Sequence, residues 1–228
     1  MDTNRLLQQF LGTGQNNEQP GQASQNGLFG GSVGKAAVAG GVLGLLLGNK
    51  KTRKMAGGMM GYGGAAAAGA LAYKAYQNWQ QGKQVASAPI ATPADIAQTD
   101  PRFLPPPAGT QAGQSFSLTL INTMIAAAKA DGHIDGKEQT AIFEQVEKMD
   151  LDTESKAFVF DALRKPVDIN AIAVGVQGIE QASEVYLFAR MAIDIDHPAE
   201  RVFLQVLAQR LQLPAELVAH LDHQIVDA

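Results

Sequence analysis

Residues 55 to 73 hold no charged side chain and no proline, and the basic run Lys50, Lys51, Arg53, Lys54 stands directly before them. At about 1.5 Å per residue, a helix over this stretch reaches roughly 28 Å, close to the hydrocarbon thickness of a bilayer. Tyr73, Tyr76 and Trp79 follow, at the depth where aromatic rings collect at a membrane surface. The pattern predicts a membrane anchor over Met55 to Tyr73 and makes the lipid bilayer the first expected partner.

An earlier apolar stretch, Ala36 to Gly48, reaches only about 20 Å and spans only if extended back to Leu28, which brings Lys35 into it. Two arrangements follow: a helical hairpin turning at the basic link KKTRK, or a single span with the first stretch re-entrant or interfacial. Basic residues favour the cytoplasmic side, so both place the C-terminal part on the far, periplasmic side. Gly40, Gly44 and Gly48 recur every four residues, as do Gly57 and Gly61, a glycine-zipper spacing that lets helices approach closely in a hairpin or a homo-oligomer.

Composition divides the chain. Fourteen of the 24 glycines lie between 27 and 69, and six of the ten prolines between 89 and 107. Residues 1 to 113 carry nine Lys/Arg against four Asp/Glu, while residues 114 to 228 carry nine against 18, so charges of +5 and −9 are hidden inside the total of −4. An acidic distal half repels phosphate, which removes nucleic acid from the expected partners. Cysteine is absent, which excludes disulfides and thiolate chemistry. The expected organisation is a leader (1–26) opening with an amphipathic Leu6, Leu7, Phe10, Leu11 turn, a glycine-rich anchor (27–83), an extended Pro/Ala/Gln spacer unable to hold a helix (84–113), and a helical domain (114–228).

In that last part apolar residues recur at three and four, with no alternating run. Leu120, Ile121, Met124 and Ile125 mark a first helix, and Ile142, Val146 and Met149 a second. Further helices are expected over 154–164, 168–177, 179–193, 198–212 and 214–227, with Pro166 separating the third from the fourth. The fold class is all-α, with seven helices in this domain.

Two segments join helices with acidic loops: Ala128-Lys129-Ala130-Asp131-Gly132-His133-Ile134-Asp135-Gly136-Lys137-Glu138, and Met191-Ala192-Ile193-Asp194-Ile195-Asp196-His197-Pro198-Ala199-Glu200. The first string, its degenerate echo 63 residues on and the seven-helix layout resemble the TerB-like domain of tellurite-resistance proteins. Taken whole, the chain resembles the YebE-type bacterial inner-membrane proteins. The resemblance implies an all-α bundle, links to envelope or chemical stress, and an acidic patch for a divalent metal, with Asp131, Asp135, Glu138, Asp194 and Glu200 at the matching positions. The second loop departs from the first: it is one residue shorter and has Ile195 where the first has Gly132.

On the residues themselves, Asp131, Asp135 and Glu138 offer three oxygens to a hard cation, and Asp194, Asp196 and Glu200 complete a shell. The first loop is not a calcium EF-hand, because Ile142 stands at its twelfth place. The competing reading is helix capping: Asp135 with Glu138 as a capping box, and Asp196 as the N-cap before His197-Pro198. His133 and His197 are candidate nitrogen ligands, and His220 and His223, three apart on the last helix with Asp222 between, fit either a ligand pair or a water-facing surface, the second being the expectation. No serine, histidine or carboxylate set has the spacing of a catalytic site; the phosphate-loop pattern fails at Phe29 and Ala36, and the dinucleotide-like Gly61, Gly63, Ala66 follows no strand and lies in the apolar stretch. The sequence thus points to a non-enzymatic, membrane-anchored module that binds a cation or a protein partner.

Overall fold

A computed structural model describes residues 2–10, 64–85, 92–104, 106, 110–132, 152–193, 195 and 197–225. Among them the protein is all-α, with nine α-helices, one 3₁₀ turn and no strand. The helices are α1 (Thr3–Phe10), α2 (Gly64–Gln80), α3 (Pro93–Ala97), α4 (Gln111–Ala128), α5 (Thr153–Arg164), α6 (Ile169–Val174), α7 (Gly178–Met191), α8 (Pro198–Arg210) and α9 (Ala215–Asp222), with the 3₁₀ turn η1 (Pro101–Phe103) between α3 and α4. Six of the seven helices expected beyond residue 114 are present; the one carrying Ile142, Val146 and Met149 lies outside the described residues.

α7 is the central rod. Every residue from Ala182 to Ala189 is buried, so the helix is enclosed on all sides by α2, η1, α4, α8 and α9. α4 packs beside it, started by Thr110, whose side chain accepts the Gly113 N–H at 3.1 Å, and it buries Phe116, Leu120, Ile121, Met124 and Ile125. α5 starts at Asp152, whose Oδ1 accepts the Ser155 N–H at 2.7 Å. It stops at Lys165, which is held extended by the following Pro166. α1 lies against α4 with Leu6 and Leu7 buried, and the Asp2 N–H donates to the other Asp152 oxygen at 3.3 Å. The amphipathic N-terminal turn therefore docks on this chain's own bundle.

The stretch assigned to a membrane span is where structure and sequence differ most. Residues 55–63 lie outside the described residues, but 64–73 form the first part of α2, which continues through Lys74 to Gln80 and packs on α7 and α9. Ala67, Ala68, Ala70, Leu71, Ala72 and Ala75 are buried there. No helix among the described residues is long and apolar enough to cross a membrane. The physical reason is composition. Of residues 64–73, six are alanine, two glycine and one leucine, so the stretch lacks charge without carrying much apolar surface. What it offers is a thin face that neighbouring helices approach closely.

The proline-rich stretch is likewise not a plain spacer. α3 forms on a Thr92/Asp95 capping box with Pro93 at its first position. The Asp95 carboxyl, hydrogen-bonded by the Thr92 hydroxyl and N–H and paired with Lys74 at 3.1 Å, is lowered to about 2. Asp100 caps η1, and Arg102 bridges Asp100 and Glu180 of α7 at 2.8 and 2.9 Å. Phe103, fully buried, packs against Tyr73 and Tyr76 with ring centroids 5.3 and 5.2 Å away, and Trp79 packs on Tyr76 at 5.6 Å. The aromatics expected at a membrane surface are half-buried and pack against the protein core instead.

Candidate functional site

Where described, the two acidic loops are geometric copies. α4 ends at Ala128 and α7 at Met191, and each C-capping residue, Lys129 or Ala192, donates its N–H back into the last turn. Four residues past each helix end the backbone turns left-handed, at Gly132 with φ +80° and at Ile195 with φ +45°. The substitution of isoleucine for glycine therefore leaves the turn in place, at the cost of a conformation that β-branched residues rarely adopt. Ile195 is half-buried against the core, and that packing offsets the strain.

Asp131 precedes the left-handed Gly132 at the surface end of α4. Glu200 sits in the first turn of α8, where its Oε2 accepts the His197 N–H at 3.0 Å. Asp135, Glu138, Asp194 and Asp196 lie outside the described residues, as does His133. Among the described residues no group of three potential ligands is assembled. The N-cap of α8 is His197 rather than Asp196: Pro198 occupies the first helical position, so the cap falls on the residue directly before it, and the His197 Nδ1 accepts the Ala199 N–H at 3.2 Å.

Lys129, the lysine of the Ala-Lys-Ala-Asp-Gly string, has a structural task. Its ammonium donates to the carbonyls of Leu163 at 2.8 Å, Ala162 at 3.4 Å and Lys165, closing the C-terminus of α5 where the helix dipole favours a cation. Partial burial lowers its pKa. Beside it lies a cavity of about 180 Å³ bounded by Thr119, Asn122, Lys129, Pro166, Asp168 and Ile172. It is smaller than the roughly 300–1,000 Å³ usual for ligand sites.

The last helix also departs from expectation. His220 is buried with its Nδ1 unpartnered, while His223 is turned outward with its ring nitrogen 3.0 Å from the Ala219 carbonyl, so the two do not form a ligand pair. Between them Asp222 accepts the Tyr186 hydroxyl at 2.9 Å and lies 3.5 Å from Arg190 Nε, and burial raises its pKa. Burial also raises the Tyr186 phenol.

Glu184, midway along α7, is the most unusual ionisable group. It is fully buried, and neither carboxylate oxygen has a hydrogen-bond partner. Burial holds its pKa well above the ordinary carboxyl range.

The family model described as "Protein of unknown function (DUF533)" matches residues 32–225. The chain belongs to this family. DUF533 is related to the TerB-like proteins. Over 106 residues the chain is 29% identical to an "Uncharacterized protein in ampR 5'region" of Yersinia enterocolitica, an alignment covering 46% of this chain and 76% of that one. No solved structure matches.

The DUF533 match begins before α2 and runs three residues past the end of α9, so it takes in both α2 and the acidic-loop helices. Glu184 escaped the sequence reading because α7 is buried on every side from Ala182 to Ala189. Periodicity singles out a misplaced charge only where a helix has a wet face to contrast with a dry one. The available signal was its setting, one carboxylate directly ahead of Val185-Tyr186-Leu187-Phe188-Ala189.

Proposed function

We propose that this chain is a non-enzymatic helical module of the bacterial envelope, tied to stress, which binds a divalent cation through its paired acidic loops. In this reading Asp131, Asp135 and Glu138 supply one set of oxygens, and Asp194, Asp196 and Glu200 the other. The glycine-rich stretch before residue 64 holds the module at the inner membrane, with the bundle on the periplasmic side. The observation that supports the loops as a working pair is their common backbone course, a left-handed residue four past each helix end, kept at Ile195 despite the steric penalty. Titration of the full chain with Ca²⁺, Mg²⁺, Mn²⁺ or Zn²⁺, followed by calorimetry and by NMR of the carboxylates, tests it. Saturable shifts at Asp131 and Asp194 that disappear in D131N and D194N are expected, and their absence with all four ions removes the cation from the reading.

A second reading is a protein-interaction scaffold without metal. It is favoured by Val174 and Val202, 87% and 56% exposed on α6 and α8, which pack against each other. On this reading the zipper glycines assemble copies of the chain. Crosslinking in membranes is then expected to lose its oligomer bands in G44L/G61L, and unchanged bands count against the zipper.

A further inference from the structure

Three elements crowd one point beside Glu184. A Cβ built on Gly69 of α2 would lie 1.9 Å from the Phe103 carbonyl oxygen of η1 and 3.7 Å from Glu184 Cδ of α7. The carboxyl is therefore sealed where α2 and η1 meet the central helix, 0% exposed and with both oxygens unpartnered.

The lysine and arginine side chains around this junction have other commitments. On α7, Glu180 receives Arg102 of η1, which also binds Asp100. On α2, Lys74 pairs with Asp95, and Tyr73 and Tyr76 pack their rings on Phe103. On α9, Asp222 is held by Tyr186 and Arg190, and His220 is buried with Nδ1 unpartnered. Lys74, Arg102 and Arg190 thus each have a carboxylate of their own. A neutral carboxyl in this seat costs no more than a buried polar group, whereas a carboxylate without a countercharge costs far more and is relieved by water. Water reaches it when α2 and η1 lift from α7.

We propose that Glu184 is a proton-operated latch: with its carboxyl protonated, α2 and η1 stay seated on α7, and ionisation drives them off. The sign follows from linkage. The seated form holds the proton more tightly than the lifted form, in which Glu184 is an ordinary solvated glutamate. Seating is therefore strongest below the ordinary carboxyl range. It weakens about tenfold per pH unit as pH rises, and levels off once the seated form itself ionises. The device ties the environment's acidity to the position of α2, the first described helix after the glycine-rich stretch.

Amide hydrogen exchange of the full chain, corrected for the intrinsic rate at each pH, reads the latch directly. In the wild type, protection of Ala67 to Ala75 is expected to fall about tenfold per pH unit above the ordinary carboxyl range, while Leu120 to Met124 of α4 hold theirs. In E184Q, which keeps the shape and cannot ionise, α2 protection is expected to be flat with pH. A pH-independent wild-type α2, an E184Q slope equal to the wild type, or simultaneous loss of protection in α4 overturns the proposal. Should E184Q fail to fold, the ¹³C carboxyl titration of the wild type decides: Glu184 changing charge together with the surface glutamates overturns it, and Glu184 remaining protonated after they have ionised supports it.

Discussion

Gly69→Ala offers the sharpest test of the fold, because two well-understood effects of opposite sign act on it. In the interior of a helix, alanine is favoured over glycine by about 1 kcal/mol, so a solvent-facing or lipid-facing Gly69 gains stability on substitution. In this structure the added Cβ would sit 1.9 Å from the Phe103 carbonyl oxygen. Carbon and oxygen settle at roughly 3.3 Å or more, so η1 must retreat by about 1.4 Å. The obstacle is backbone, and Phe103 is fully buried behind it, so the strain cannot be shed by turning a side chain. Overpacking of this kind costs about 1–3 kcal/mol, and dislodging Phe103 forfeits a further burial of about 1.5–3 kcal/mol. The helix gain is outweighed, leaving G69A less stable by about 1.5–5 kcal/mol. For a chain of this size that lowers Tm by roughly 3–20 °C. Circular dichroism melting reads the loss, and Trp79 fluorescence reports whether α2 moves first. Ala66→Gly, at a half-buried position in the same helix, is the control, expected to cost about 1 kcal/mol from propensity alone. An unchanged or raised Tm for G69A refutes the seating of α2 against η1 and returns residues 64–73 to a lipid-facing reading.

Gly132→Ala is expected to destabilise by about 1 kcal/mol in urea melts, a purely conformational cost, since φ is +80° and nothing lies within 4 Å of the new methyl. Equal stability would show that the loop after α4 does not take the left-handed turn. Lys129→Met keeps the length of the side chain but strips the ammonium from the carbonyls of Ala162, Leu163 and the capping Lys165 at the end of α5, with an expected loss of about 1–3 kcal/mol and faster exchange in the last turn of that helix; a neutral result removes its capping role. Thr92→Ala dissolves the capping box of α3, so the Asp95 carboxyl, held at about 2, is expected to titrate closer to 3.8 by NMR. Its stabilising contribution is present above the ordinary carboxyl range and is lost as pH falls through about 2; it is small because the group lies at the surface, half-buried and within reach of solvent, and an unmoved titration contradicts the geometry.

The helices of the distal part were legible because their wet and dry faces differ. Val159 and Leu163 on α5 and Phe203, Leu204 and Leu207 on α8 mark such faces, and Asp152, Pro198 and Pro166 punctuate them. The seat of α2 was not legible, because an alanine-rich face looks the same whether lipid or protein covers it. What decides between them is the matching surface, Phe103, which stands 34 residues along the chain amid prolines that read as a spacer. The loops were recognisable as a pair, yet their shared backbone turn was hidden by a change of residue type, since isoleucine gives no hint of positive φ. Glu184 was concealed by a helix without a solvent side.

The docking of α1 on α4 carries a topological consequence for everything between residues 10 and 64. The segment leaves one body and returns to the same body, because α1 is fastened to α4 and α5 at one end and α2 is wedged against α7 and α9 at the other. A thread tied at both ends to a single object on one side of a wall can pierce that wall only an even number of times. Thr3 and Gly64 therefore lie on the same side of any bilayer the protein meets.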